Sequence, residues 1–551
     1  MMKINSNIKT IRAMSVPIAL MLCRIAKIRI IVNELVKWKE ENSKISPGFL
    51  IETLVVCVLC ERKPLWKVEE FWRKQDFKNL FSEIADPSQL NDDAYGRALE
   101  KLCAINMELM ISLVSLTMLK SHDLSISFIH LDTTSKSVQG VYEVEGDRDF
   151  ELCHGFSKDL RPDLKQFKIG LAVNEHKVPV MGQILSGNVS DMKFNPQAAV
   201  EMKDFFEKKQ YRDIIFVSDC AIVSTESLGT LAQKHVRFIS RLPETFSLAE
   251  KLKEEALRSE NWTKVNDEYQ IFATKDKLDG RDYRFLVVQS SHLEAKKEKT
   301  LQKQVDKKKA KYEQEAKKLA KQTFACEADA LTALHQLSKR VQEAGFPLNA
   351  TVQREELKSY GQKGRPHKNE EAKVTIVYKI ESIVVGQMSL EMLEDIKRKE
   401  STFILITNVL NKEKYDDERI LKEYKHQNSV ENRFKFLKDP VYFGPMFLKN
   451  PQRLQALGYV FILALLVASY LEYRVRENLK KNGEAVLLPG KKKTNVPSIA
   501  TILEILDTIQ IVIIGGERFF PDNIDKQALK MIEWAGFEPT IYLQPLAWDA
   551  F

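Results

Sequence analysis

The sequence predicts an α/β fold: a mixed five-stranded sheet with flanking helices, preceded by a helical domain and interrupted by an α+β insertion. Three observations predict it. Apolar residues recur at three- and four-residue spacings through roughly the first 120 positions, the pattern of packed helices. From Ile126 onward the pattern changes to short apolar or alternating runs bounded by turn residues, which read as strands. Two of those runs, Ile126–Leu131 and Ile214–Val217, deliver aspartates at their carboxyl ends, Asp132 and Asp219.

A chain of 551 residues is long enough for several domains with a large core. Apolar content of 44% and charged content of 29% describe an ordinary soluble protein. The net charge of +8, from 84 Lys+Arg against 76 Asp+Glu, permits a polyanionic partner without demanding one. Seven scattered cysteines argue for a reducing compartment. Cys57-Val-Leu-Cys60 has metal-site spacing, but it lies in the apolar run Leu54–Leu59 without a second pair and reads as two core cysteines. Val16–Cys23 and Tyr459–Leu471 are too short for a bilayer, which needs about 20 apolar residues, so the second reads as a buried helix and no membrane is expected.

In chain order, Ile30–Trp38, Phe49–Cys60, Leu65–Phe81 and the long run Asn91–Lys120 read as helices, the last opened by the N-cap chemistry of Asn91-Asp-Asp-Ala. This bundle either grips DNA or supports the core, and nothing in it singles out a groove-reading helix. After the strand ending at Leu131, a polar stretch runs to Pro162, where Arg161-Pro-Asp163 can brace a turn. Phe167–Asn174 and Val178–Ser186 form a hairpin around Glu175-His-Lys177. Helix Asn195–Lys209, strand Ile214–Val217, helix Thr225–Lys234 and strand Arg237–Arg241 follow. That order matches the five-stranded mixed sheet of RNase H-like domains, whose first and fourth strands are parallel neighbours. Asp132 and Asp219 then converge where open α/β sheets place their ligands.

Residues 245–410 depart from that sheet. Glu294–Lys321 holds eleven Lys and five acidic residues, contributing +6 of the chain's +8. Leu301, Val305, Tyr312 and Leu319 give it a thin apolar stripe, the mark of a helical arm or of a hairpin with Leu331–Val341. Such a helix is either a solvated face or a salt-dependent contact to DNA phosphates. Tyr360-Gly-Gln-Lys-Gly-Arg-Pro-His367 is a compact basic loop, followed by strands Lys373–Tyr378, Ile383–Val385 and Thr402–Thr407.

From Glu418 to near Asp439 the chain lacks Gly and Pro and reads as one helix. At about 100° per residue, Tyr424, Gln427, Glu431 and Lys438 fall within roughly 60° of one another, with Val430, Phe434 and Leu437 packing the adjacent face. A solvated helix of scattered charge is the alternative. Asp132, Asp219 and Glu431 together suit hard divalent cations, which take oxygen ligands and keep phosphate oxygens in their shell. Two such ions about 4 Å apart serve an in-line phosphoryl displacement. His130 shares a face with Asp132 and reads as a packing or supporting group. No G-x-S-x-G, Walker loop or dinucleotide fingerprint occurs.

Tyr424-x2-Gln427-x3-Glu431-x6-Lys438 resembles the Y-(2)-R-(3)-E-(6)-K signature of insertion-sequence transposases of the DDE class, in the branch with a long amino-terminal helical region. Phe128-Ile-His-Leu-Asp132-Thr-Thr-Ser and Val217-Ser-Asp219-Cys-Ala are similar to the family's first and second aspartate strands. Leu90–Leu99 and Gly361–Pro366 also resemble stretches of that branch, so the likeness spans most of residues 90–450. The resemblance implies that Asp132, Asp219 and Glu431 bind two Mg²⁺ ions, with Mn²⁺ able to substitute. Water then cuts double-stranded DNA at the terminal inverted repeats, and the freed 3′ hydroxyl attacks target DNA. It further implies DNA contacts from Tyr424, Gln427 and Lys438 and from Lys363 and Arg365 of the basic loop, a homodimer on paired ends, and a prokaryotic cytoplasmic location at the nucleoid. Gln427 stands where the signature has Arg, and a neutral amide cannot make the bidentate charged contact to phosphate.

The expected organisation is a helical domain over 1–122, the first part of the RNase H-like core over 123–244, an insertion over 245–410, the second part of the core over 411–475, and a tail over 476–551. Competing readings are a DNA-binding protein on this fold that no longer cuts, and a nuclease or resolvase that cuts without joining.

Overall fold

The computed structural model describes residues 8–39, 41, 45–81, 86–140, 142, 150–291, 295–359, 372–439 and 448–546. The chain forms two units, one of Met1–Arg241, Lys277–Tyr283 and Ile406–Phe551, the other of Leu242–Asp276 and Arg284–Leu405.

The first unit opens with β1 (Lys9–Arg12), α1 (Val16–Ile25), α2 (Ile28–Leu35) and α3 (Pro47–Glu61). Ser46 caps α3, its hydroxyl accepting from Phe49 N at 3.2 Å. Nearly every side chain of α3 is buried, which accounts for its lack of a polar stripe. Cys57 lies in that core, where burial pushes its thiol up to about 12. The run Asn91–Lys120 is two helices, α4 (Asp92–Cys103) and α5 (Met107–Lys120), meeting at 97°. Asn91 caps the first as its sequence suggests. Asn106 caps the second, accepting from Leu109 N at 2.9 Å, and so starts a new helix inside a continuous periodic pattern.

The sheet follows as β2 (Phe128–Ser137), β3 (Gln166–Asn174), β4 (Pro179–Ser186), α6 (Asp191–Lys208), β5 (Ile215–Ser218), α7 (Thr225–Gln233) and β6 (Arg237–Arg241). Within the first unit these strands run in the order β4-β3-β2-β5-β6, antiparallel from β4 to β2 and parallel from β2 to β6. This is the mixed RNase H-like sheet. Arg161 and Asp163 do brace a turn ahead of β3, with bonds of 2.9 and 2.7 Å. One strand differs from expectation, because β2 runs six residues past Leu131. β3 carries it on, pairing Asp132 with Leu171 and Ser137 with Gln166, whereas the parallel pairing to β5 ends at Leu131 and Ser218.

The second unit contains α8 (Ser247–Arg258), strand β7 (Thr263–Lys264) and most of β8 (Tyr269–Leu278) and β9 (Arg281–Ser290). Gly280, at φ +75°, turns the β8–β9 hairpin, a conformation open to glycine at little cost. Then come α9 (Ala295–Leu319), β10 (Thr323–Phe324), α10 (Glu327–Glu343), β11 (Leu348–Ser359), β12 (Lys373–Val385), α11 (Leu390–Glu400) and β13 (Thr402–Thr407). Leu301 and Val305 of α9 join Leu337, Val341, Phe346 and Val385 in a small core, with Tyr312 and Leu319 packed on it. The predicted stripe of α9 is therefore its inner face. Residues 373–385 form one strand, not two separate ones. A register shift between Asn349 and Thr351 of β11 and Ser382 at φ +55° absorb the irregularity within the ribbon.

The first unit resumes with α12 (Asp417–Lys425), α13 (Asn428–Lys438) and α14 (Pro451–Asn482), then α15 (Ile499–Leu506), β14 (Gln510–Ile514), β15 (Glu517–Phe519) and α16 (Lys526–Trp534). Helix α14 is long and apolar enough by composition to cross a membrane, yet 94% of its most apolar window is buried in the fold. It is a core helix, packed against α1, α3, α4, α5, β4, α13, α15 and α16. Gly182 and Gly458 make close approach to β4 possible: a Cβ on Gly182 would lie 2.6 Å from Ile462, and one on Gly458 2.9 Å from Ile184. Strand β1 pairs with β14, from Lys9 with Ile513 to Arg12 with Gln510.

Candidate active site

Asp132 and Asp219 occupy equivalent positions, each the residue after the last parallel pair of β2 and β5. Their backbones are therefore adjacent. Burial pushes the Asp132 carboxyl up to about 6, Lys158 and the Thr133 amide oppose the rise, and the Asp219 and Asp191 carboxylates add to it. Asp219 caps a short turn, accepting from Ala221 N at 3.0 Å, and Asn195 Nδ2 lies 3.5 Å from the same oxygen.

The structure adds groups that periodicity does not reveal. Lys158 Nζ lies 3.7 Å from Asp132 Oδ1 and 3.2 Å from Asp191 Oδ2, and donates to Thr133 O at 2.7 Å. Asp191, the first residue of α6, also accepts from Thr133 Oγ1 at 2.7 Å and Lys168 Nζ at 2.8 Å. Burial alone would raise Asp191, but the hydrogen bonds from Lys168 and Thr133 and the charges of Lys158 and Lys168 hold it below its usual value. Lys168 was the legible signal: a lysine in the otherwise apolar Phe167–Val173 run requires a buried partner.

The Glu431 helix is divided. Gln427 N bonds Tyr424 O and Ser429 N bonds His426 O, so three-residue turns separate α12 from α13. A single 100° wheel thus does not carry Tyr424 onto the face of Gln427, Glu431 and Lys438. Tyr424 is on α12. Burial pushes its hydroxyl up to about 12, with Arg241 opposing and Asp219 and Cys220 adding, so this phenol shares Asp219's surroundings. Gln427 Nε2 donates to Leu131 O at 2.8 Å, fixing the start of α13 one residue from Asp132. Glu431 lies one turn further along, about 6 Å of helix axis, and is exposed. Lys438 Nζ binds Asp159 Oδ1 at 2.7 Å. Lys363 and Arg365 lie outside the described residues. Val430, Phe434 and Leu437 are buried, as their spacing suggests.

His130 is fully buried with neither ring nitrogen hydrogen-bonded; burial lowers it to about 4 against the pull of Glu423, 3.9 Å away. It is a packing group. Among the described residues no set of three His, Cys, Asp or Glu side chains is arranged to hold a metal ion. The fit to a hard cation rests on two adjacent carboxylates, half-buried and repelling one another, whose oxygens are the donor type such an ion takes.

Residues 8–116 match a domain of unknown function (DUF4277). Among solved structures, the chain is similar to a piggyBac transposase synaptic complex with hairpin DNA, at 10% identity and TM-score 0.37, over 95% of this chain and 82% of that one. It is also similar to a Mos1 transposase paired-end complex with the left transposon end, at 13% identity and TM-score 0.15, over 27% and 51%. No curated protein matches. Residues 150–467, more than half of the chain, match the family described as Transposase DDE domain, and with that match the chain belongs to the DDE transposases.

Proposed function

We propose that this transposase nicks double-stranded DNA at the terminal repeats of its element and joins the freed 3′ end to target DNA, using Mg²⁺, or Mn²⁺ in its place. The observation that carries the reading is the adjacency of Asp132 and Asp219 beyond the last parallel pair of β2 and β5. Asp132, Asp219 and Glu431 are the residues that would hold the ions. When bound, a Mg²⁺ pair activates the attacking oxygen and stabilises the leaving one.

The chain's own residues prepare that chemistry. Asn195 and the Ala221 amide fix the Asp219 carboxylate, and Thr133 N fixes Asp132. Lys158 supplies a positive charge to Asp132 and Asp191, lowering the cost of two acids side by side. Gln427 ties α13 to β2, so that Glu431 is carried by a helix anchored beside Asp132. Tyr424 and Lys438 are assigned to DNA near the cut phosphate, Lys438 exchanging Asp159 for a phosphate oxygen. Two ends are held by two copies of the chain.

The test is incubation with DNA bearing the element's flanking repeats and Mg²⁺, with products mapped at nucleotide resolution. End-specific nicks followed by joined products are expected. Asp132→Ala, Asp219→Ala and Glu431→Ala should each lower nicking by at least about 100-fold, the scale of a lost electrostatic group, with DNA binding retained. Binding without nicking by the unaltered chain would instead establish an inactive DNA-binding copy, and nicking without joining a nuclease.

A further inference from the structure

We propose that the outward face of α9 is a docking surface for the sugar–phosphate backbone of duplex DNA, independent of sequence. The proposal rests on the reading of the chain as a DNA-transposing enzyme and adds a contact surface to it. The observation is a separation of charge around one helix. Leu301, Val305 and Ala316 are buried, and Tyr312 and Leu319 pack on the same core. At about 100° per residue these five lie on one side of α9. Lys299, Lys303, Lys307, Lys311, Lys317 and Lys318 fall within an arc of about 120° on the opposite side, and all six are exposed. No acidic residue falls within that arc.

The acids of α9 lie outside that arc and are otherwise engaged. Glu298 pairs with Lys397 at 2.7 Å, Glu313 with Lys309 at 3.6 Å and Glu315 with Arg340 at 3.1 Å, while Asp306 accepts from Gln302. Among the described residues none of the six lysines is ion-paired. A helix selected only for solubility alternates its charges, because like charges four residues apart disfavour it. Here Lys299, Lys303, Lys307 and Lys311 stand in three successive such pairs. A polyanion turns that repulsion into attraction. From Lys299 to Lys318 the stripe is about 28 Å long at 1.5 Å per residue, and duplex DNA offers about one phosphate charge per 1.7 Å of axis.

The experiment uses the full chain, a 30-base-pair duplex of unrelated sequence and no Mg²⁺, so that binding is read without cutting. Lys299→Gln, Lys303→Gln, Lys307→Gln and Lys311→Gln are combined. A second quartet, Lys203→Gln, Lys251→Gln, Lys253→Gln and Lys264→Gln, removes the same charge from lysines already paired with Glu207, Asp276, Glu244 and Asp267. The stripe quartet should reduce the slope of log K against log salt by about 3 to 4, near 0.9 per phosphate contact, with at least a tenfold affinity loss at physiological salt. The second quartet should leave the slope within about 1 of the unaltered chain. The four stripe positions changed to Arg should preserve it, which controls for helix disruption. An unchanged slope in the stripe quartet, or equal losses in both quartets, overturns the proposal. Either result leaves the nicking assay untouched, and failure to nick ends leaves this surface standing.

Discussion

His130 shows how one residue's surroundings set a measurable property. Its imidazole is buried beside Glu423 without a hydrogen bond, and its folded value of about 4 lies below the ordinary 6.5. Between those values the unfolded chain holds a proton that the folded chain refuses. The contribution is therefore complete above pH 6.5 and is lost as pH falls toward 4, by up to about 3 kcal/mol. Urea midpoints should drop between pH 7 and pH 5 in the unaltered chain and less so in His130→Leu. Equal acid sensitivity in the variant would assign the loss to other groups. Gln427 is the second residue whose role can be measured. Gln427→Ala, which removes the bond to Leu131 O, should cost about 1 kcal/mol in denaturant unfolding. Gln427→Arg should tighten binding to element ends several-fold at moderate salt. Unchanged end binding would confine this position to holding β2.

Among the elements, α13 depends on one buried ion pair. Arg433 Nη1 meets Glu472 Oε2 of α14 at 2.5 Å with both side chains almost fully buried, and Arg433 Nε donates to Lys177 O at 2.9 Å. Glu472 also accepts from Arg476 at 2.7 Å and from Ile499 N at 3.1 Å, so one carboxylate joins α13, α14 and the start of α15. Removing Glu472 strands the buried Arg433 charge, whereas removing Arg433 leaves Glu472 paired with Arg476 and Ile499 N. Glu472→Leu should therefore destabilise the first unit by about 3–5 kcal/mol, while Arg433→Met, which keeps the volume and leaves Glu472 paired, should lose much less. Thermal melts of these two variants decide the matter: comparable losses would mean that volume and not charge holds α13.

At the scale of the whole molecule, α14 unifies the first unit. It contacts the amino-terminal helices, strand β4, the Glu431 helix and the carboxyl-terminal helices α15 and α16. Leu466 is fully buried at its middle, so Leu466→Ala should cost about 2–5 kcal/mol. Because the contacts reach both ends of the chain, the loss should appear as one transition shifted equally at Trp72, in the amino-terminal aromatic core, and at Trp534 on α16. Fluorescence melts of single-tryptophan variants check this, and separate midpoints at the two reporters would show that α14 does not couple them.

The sequence by itself determined the kind of fold and the strands that bear the aspartates. A two-residue period in the hairpin strands, continuous apolar runs in the parallel ones and turn residues between them are local properties that survive without knowledge of neighbours. The cap at Asn91 and the buried face of α13 were legible for the same reason. Tertiary structure alone decided what depends on distant partners. β2 extends beyond Asp132 because β3 continues beside it, and β1 is a strand only because residues some 500 positions away pair with it. Lys158 and Asp191 meet Asp132 from a loop and a helix start, where no period exists to announce them. The break at His426–Gln427 occurs without Gly or Pro, where the Gln427 amide is held by β2, an attachment that no local propensity encodes.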